Sequence, residues 1–121
     1  MYDTENRNAV IKKAYFDTER GLSAWLQLDY GGTGQGFGGY VLYLSKDSKH
    51  HIGQSNAAGH FIYRCLKVAG VSDWAKLPGR TVRVKCSHNG VLAIGHIIKD
   101  DWFNPQEEFE QMIQENIDKR G

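Results

Sequence analysis

Residues 28–45 read Leu-Asp-Tyr-Gly-Gly-Thr-Gly-Gln-Gly-Phe-Gly-Gly-Tyr-Val-Leu-Tyr-Leu-Ser, with an apolar strand pattern on both sides of the glycines. From Gly31 to Gly39 only Thr33, Gln35 and Phe37 carry side chains, so the backbone can take positive φ and lie close against a ligand or another chain. A hairpin needs only about two to five linking residues, and ordering this much glycine costs chain entropy. The surplus predicts a ligand loop with Gly34, Gln35, Gly36, Phe37 and Gly38 as contact residues; the alternative is a bulged hairpin with no ligand. Gly34, Gly36 and Gly39 match Gly-x-Gly-x-x-Gly, but the motif leads into a strand rather than a helix, which excludes the dinucleotide-fold and Walker readings.

Upstream, Ala9 to Phe16 alternates as a first strand, with Val10, Ala14 and Phe16 on one face. Leu22 to Leu28 forms the second, with Leu22, Ala24, Leu26 and Leu28 on one face and Trp25 on the other. A tryptophan there either covers its own sheet or meets another subunit. Downstream, Tyr40 to Leu44 is expected as a third strand closing an antiparallel meander. Ser45 to Ser55 is a polar connection whose adjacent His50 and His51 lack a third ligand, so no metal site follows.

A helix capped by Ser55 or Asn56 carries Phe61, Ile62, Cys65, Leu66 and Ala69 as its apolar stripe and ends at Gly70. Its small first turn, Ala57-Ala58-Gly59, leaves N–H groups accessible to a phosphate, with His60 and Arg64 one turn apart beside it. Alternatively that face is solvated and Arg64 pairs with a local carboxylate. Ser72 to Leu77 is a short turn that tucks Trp74 and Leu77 inward before Pro78-Gly79 reverses the chain. In the next strand Val82, Val84 and Cys86 oppose Thr81, Arg83 and Lys85, which adds Arg83 to the binding candidates. Asn89-Gly90 favours a type I′ hairpin into a strand from Val91 to Lys99, apolar on both faces and therefore expected to be central. Within it His96 is either a hydrogen-bonded core residue or a ligand contact, since Gly95 permits close approach.

Lys99, Asp100, Trp102 and Phe103 then mix charge with aromatic rings, and Asn104-Pro105 opens a final helix with glutamates early and Lys119-Arg120 late. Phe109, Met112, Ile113 and Ile117 form its apolar stripe. The expected fold is α+β: an antiparallel sheet of about five strands, in the order β-β-β-α-β-β-α, covered by two helices.

The 121 residues fit one domain. Fifteen basic against fourteen acidic side chains give no broad positive field for duplex nucleic acid or a membrane. Cys65 and Cys86 read as buried hydrophobes in a reducing compartment, and with a polar N-terminus and no long apolar run a cytoplasmic location is expected. No nucleophile sits in a recognisable catalytic motif, and the Asp100-Asp101 pair lacks a partner base, so neither an enzyme nor a cofactor is predicted. What remains are parts for holding a small phosphorylated or nucleotide-like molecule: a glycine-rich backbone, a small-residue helix start, arginines, and Phe37, Trp102 and Phe103 for stacking.

The run from Leu28 to Tyr40, followed by Gly59-His60-Phe61-Ile62-Tyr63-Arg64 and by Ile94-Gly95-His96-Ile97-Ile98-Lys99-Asp100-Asp101-Trp102-Phe103, resembles small phage and prophage proteins of the anti-Thoeris sponge family, the first type described. The similarity covers Leu22 to Pro105. It implies a protein that sequesters, without cleaving it, the cyclic ADP-ribose isomer made by a host TIR-domain sensor; some members also hold cyclic oligonucleotides. It further implies a homo-oligomer, a dimer or larger, with ligand pockets between subunits.

Overall fold

The computed structural model describes residues 4–19, 21–42 and 57–120. Six strands, β1 (Glu5–Asp17), β2 (Ser23–Asp29), β3 (Gly34–Gly38), β4 (Thr81–Ser87), β5 (Gly90–Gly95) and β6 (Trp102–Phe103), join α1 (Ala57–Ala69) and α2 (Pro105–Arg120). All strand neighbours are antiparallel and the order is β3-β2-β1-β4-β5-β6. The sheet curls, so the architecture is the expected α+β fold with one more strand. The additional strand is the two-residue β6.

The third strand lies inside the glycine run and not after it. Gly34 to Gly38 pair with Asp29 to Trp25, while Tyr40 to Leu42 lie outside any strand and 43–44 fall outside the described residues. The connecting turn is only Tyr30 to Thr33, closed by Tyr30 N–H donating to Thr33 O at 2.7 Å. Asp29 Oδ1 accepts from the Gly31 and Gly32 N–H groups at 3.1 and 3.2 Å, the local side-chain turn that makes Asp common at such positions. Glycine serves the strand by leaving room for its neighbours. A Cβ at Gly38 would come within 2.3 Å of Ala24 O, and one at Gly39 within 2.2 Å of the Trp25 ring. Trp25 therefore covers its own sheet, lying across Gly36 and Gly39.

In β1 the expected phase holds only after a bulge. Ala9 and Ile11 are buried and Val10 is exposed; the register then slips between Ile11 and Lys13, which resets the inward face, so that Ala14 packs against the core and Phe16 lies on the same face, opposite buried Ala24. Phe16, half exposed, stacks on Trp74 with centroids 4.8 Å apart. The centre of the sheet is β1 with β4; β5 stands next to the edge and stops at Gly95, leaving Leu92 and Ile98 exposed. Among the described residues no non-glycine residue has positive φ, so Asn89-Gly90 does not form a type I′ turn. The hairpin turns at His88-Asn89 and absorbs Leu92 as an extra residue where pairing shifts between Lys85 and Cys86.

The core fills the inside of the curl. Leu26, Leu28, Phe37, Val82, Val84 and Ile94 of the sheet meet Phe61, Cys65 and Val68 of α1, and Phe37, Phe61 and Phe103 form an aromatic cluster with centroids 5.5–6.0 Å apart. Helix α1 ends at Gly70 (φ 75°), whose N–H bonds Leu66 O at 2.9 Å; its proposed caps Ser55 and Asn56, like His50 and His51, lie outside the described residues. Asn104 Oδ1 caps α2 by accepting from Glu107 N–H at 3.2 Å. Along α2, Phe109 packs on the core but Ile113 is 59% exposed, so the expected stripe covers the sheet only near the helix start. Cys65 and Cys86 are buried and unpaired with each other.

Candidate functional site

The structure gathers the motif residues into two groups, and both are engaged internally. Arg64 on α1 donates from Nε to Glu108 at 3.2 Å, and from Nη2 to Asp101 at 2.9 Å and to Trp102 O at 2.7 Å. Burial opposes its charge, but hydrogen bonds to Asp101 and Glu108 and their charges outweigh that and hold its pKa above the ordinary value. The bond from Arg64 in turn holds the Asp101 carboxyl below the usual carboxylate range, against burial. His60 Nε2 lies 2.6 Å from Glu108 Oε1. The hollow beside His60 and Arg64 is rimmed by Glu107, Glu108 and Glu115, which repel an anion; Gly59 does not line it. The local-carboxylate reading of Arg64 is the one observed; its guanidinium ties α1 to β6 and α2.

The second group surrounds the 96–103 segment. Arg83 donates to His96 O and Lys99 O, both at 2.7 Å, and His96 Nδ1 accepts from the Ile98 and Lys99 N–H groups, both at 3.0 Å. His96 is thus a turn-forming acceptor on a bend whose tip exposes Lys99 and Asp100. Trp102 lies flat over Gly95, where a Cβ would come within 2.7 Å of its ring, and both Arg83 and Lys85 approach that ring, at 4.7 and 4.5 Å. Phe37 and Phe103 are fully buried, so neither presents a face for stacking. Gly34, Gly36 and Gly38 spend their close approach on β2 and α1.

The open site is elsewhere, at one mouth of the curled sheet, and it includes Gly34 and Gln35. Strand alternation carries the inward positions from apolar to polar there. Behind Ile11 and Ala9 come Arg7 and Glu5, after Leu28 comes Tyr30, and before Phe37 comes Gln35. With Thr33, Gly34, Cys86, Ser87 and His88 they line a groove of about 520 Å³, within the usual span of small-molecule sites. Arg7 stands over the Tyr30 ring at 4.8 Å. The Tyr30 hydroxyl donates to Gln35 Oε1 at 2.9 Å, and Gln35 Nε2 donates to Ser87 O at 3.1 Å, so a single amide ties the β2–β3 hairpin to the β4–β5 hairpin. Burial, with the Cys86 sulfur alongside, pushes the Tyr30 hydroxyl above its ordinary value and Arg7 pulls the other way; the hydroxyl remains a donor at neutral pH. A Cβ at Gly34 would come within 2.2 Å of Leu28 O, so glycine brings β3 tight against β2 at the groove's edge.

Arg7, Tyr30 and His88 are absent from the residues expected on sequence grounds. Continuing the period-two pattern of β1 back from Ala9 points to Arg7 and Glu5, two charged side chains on the inward face; starting the strand at Ala9 hides them. Comparison of the chain with protein-family models, with curated proteins and with solved structures returns no match. No helix among the described residues is long and apolar enough to cross a membrane.

Proposed function

We propose that the protein binds a small nucleotide signal in the host cytoplasm, a cyclic ADP-ribose isomer, and sequesters it without cleaving it, thereby inhibiting TIR-based anti-phage defence; cyclic oligonucleotides are a second ligand class. The observation that carries this reading is the mouth groove, where a guanidinium, an aromatic ring and a fixed amide converge at inward-facing positions of an otherwise apolar curl. Arg7 supplies a planar fork for phosphate, Tyr30 a ring edge and hydroxyl, and the exposed Gly34 backbone a hydrogen-bonding rim. The resemblance of the chain's motifs to those of the anti-Thoeris sponge family supports this ligand class. Because the groove is open along one side, a second copy of the chain closes over it, and the protein acts as a homo-oligomer.

The test is release of unaltered ligand. The protein is incubated with candidate cyclic nucleotides, separated from the excess and heat-denatured, and the supernatant is analysed by mass spectrometry. Recovery of intact nucleotide in proportion to protein supports sequestration; a modified product identifies an enzyme, and recovery of nothing leaves a protein-interaction module as the better account.

A further inference from the structure

Two opposite charges share the mouth groove and do not pair with each other. Glu5 and Arg7 stand two residues apart on the inward face of β1, about 7 Å along the strand, and both line the groove. Arg7 lies against the Tyr30 ring, and among the described residues neither it nor Glu5 forms an ion pair. Strand pairing fixes them: Glu5 sits opposite Cys86 and Arg7 opposite Val84. The groove is therefore bipolar, with a cation toward Tyr30 and a free carboxylate nearer the strand's start.

A purely anionic ligand such as inorganic phosphate gains from Arg7 and is repelled by Glu5. A ligand that carries an anion at one end and hydroxyl donors at the other satisfies both. A ribosyl phosphate has that chemistry: vicinal ribose hydroxyls donate to a carboxylate while the phosphate takes the guanidinium. We infer that Glu5 reads the ribose hydroxyls of the bound nucleotide and is a specificity-determining residue of the groove. This rests on the nucleotide-binding reading above and adds to it a preference for ribose over its deoxy forms.

The probes are ADP and 2′,3′-dideoxy-ADP, titrated calorimetrically into the wild-type protein and into Glu5→Ala and Arg7→Gln. Losing charge-assisted hydrogen bonds to the carboxylate corresponds to about a tenfold or greater preference for ADP in the wild type. Glu5→Ala is expected to abolish that preference, and Arg7→Gln to weaken both probes while keeping their ratio. Glu5 is exposed, so its truncation is expected to leave the melting temperature unchanged, and a melt of each variant checks this. Equal wild-type affinity for both probes overturns the role of Glu5 while leaving nucleotide binding intact. A preference that survives in well-folded Glu5→Ala overturns it as well. Failure of the wild type to bind either probe overturns the ribosyl-phosphate site formed by Glu5 and Arg7, whereas the nucleotide reading itself fails only if no intact cyclic nucleotide is recovered in the release experiment.

Discussion

Arg64 illustrates how one side chain's surroundings decide its role. Its neighbours in sequence include a small-residue helix start, the setting of an anion site, yet three acceptors from Asp101, Trp102 and Glu108 take its donors. Arg64→Ala removes the guanidinium that both half-buried carboxylates share, leaving Glu108 with His60 and Asp101 without its hydrogen-bond donor. The loss is expected to be roughly 2 kcal/mol of stability, below the ~3–5 kcal/mol of a fully buried pair because Asp101 and Glu108 retain some water. Thermal melts check this, and Arg64→Lys restores only part of it, since a point charge cannot span Nε and Nη2 contacts. Gly39 makes the complementary case: at φ 76° with Trp25 in the space of its Cβ, Gly39→Ala is expected to destabilise by at least about 1 kcal/mol. Removing the ring in Trp25→Ala relieves the clash but not the backbone strain, so a double-mutant cycle reads a coupling between the two sites. Strict additivity in that cycle contradicts the cover described for Trp25.

At the scale of elements, what the sequence disclosed followed from how much each signal depends on neighbours. Helix α1 with its Gly70 stop, the Asn104-Pro105 start of α2 and the inward Val82-Val84-Cys86 face were legible because each rests on local periodicity or capping. The third strand was not, because glycine's local preference argues against a strand and only Trp25 and α1, contributed from elsewhere, make those residues fit. The phase of β1 was hidden by its bulge, and the groove residues Glu5 and Arg7 were hidden with it. The 96–103 segment connects to stability through acid titration. Asp101 and Asp29 both titrate lower in the folded chain, through the Arg64 bond and the Gly32 and Gly31 N–H groups respectively. A lowered folded pKa means that their contribution is complete above the ordinary carboxylate value near pH 4 and is lost as the pH falls through the lowered values. Melting temperatures recorded from pH 6 down to pH 2 should fall less steeply for Asp101→Asn than for the wild type; an identical slope contradicts the Arg64–Asp101 account.

At the scale of the whole molecule, the fold is a curled sheet plugged by α1 at its centre and left polar at one mouth. The surface outside the curl keeps Tyr15 and Val41 exposed, an apolar area that fits the proposed contact with a second copy of the chain. Sedimentation at micromolar concentration is expected to show a dimer or larger species, and a monomer contradicts the closure of the groove by a second copy. Where the ligand sits is the central claim. It is tested most directly by calorimetric titration of a cyclic ADP-ribose isomer into the wild type, Arg7→Ala and Arg64→Ala, with a melt of each. The account predicts that Arg7→Ala weakens binding by one to two decades, about 1.4–2.8 kcal/mol, at unchanged melting temperature, and that Arg64→Ala melts lower but binds as before. Unchanged affinity in Arg7→Ala together with lost affinity in a well-folded Arg64→Ala would contradict it and return the site to the start of α1.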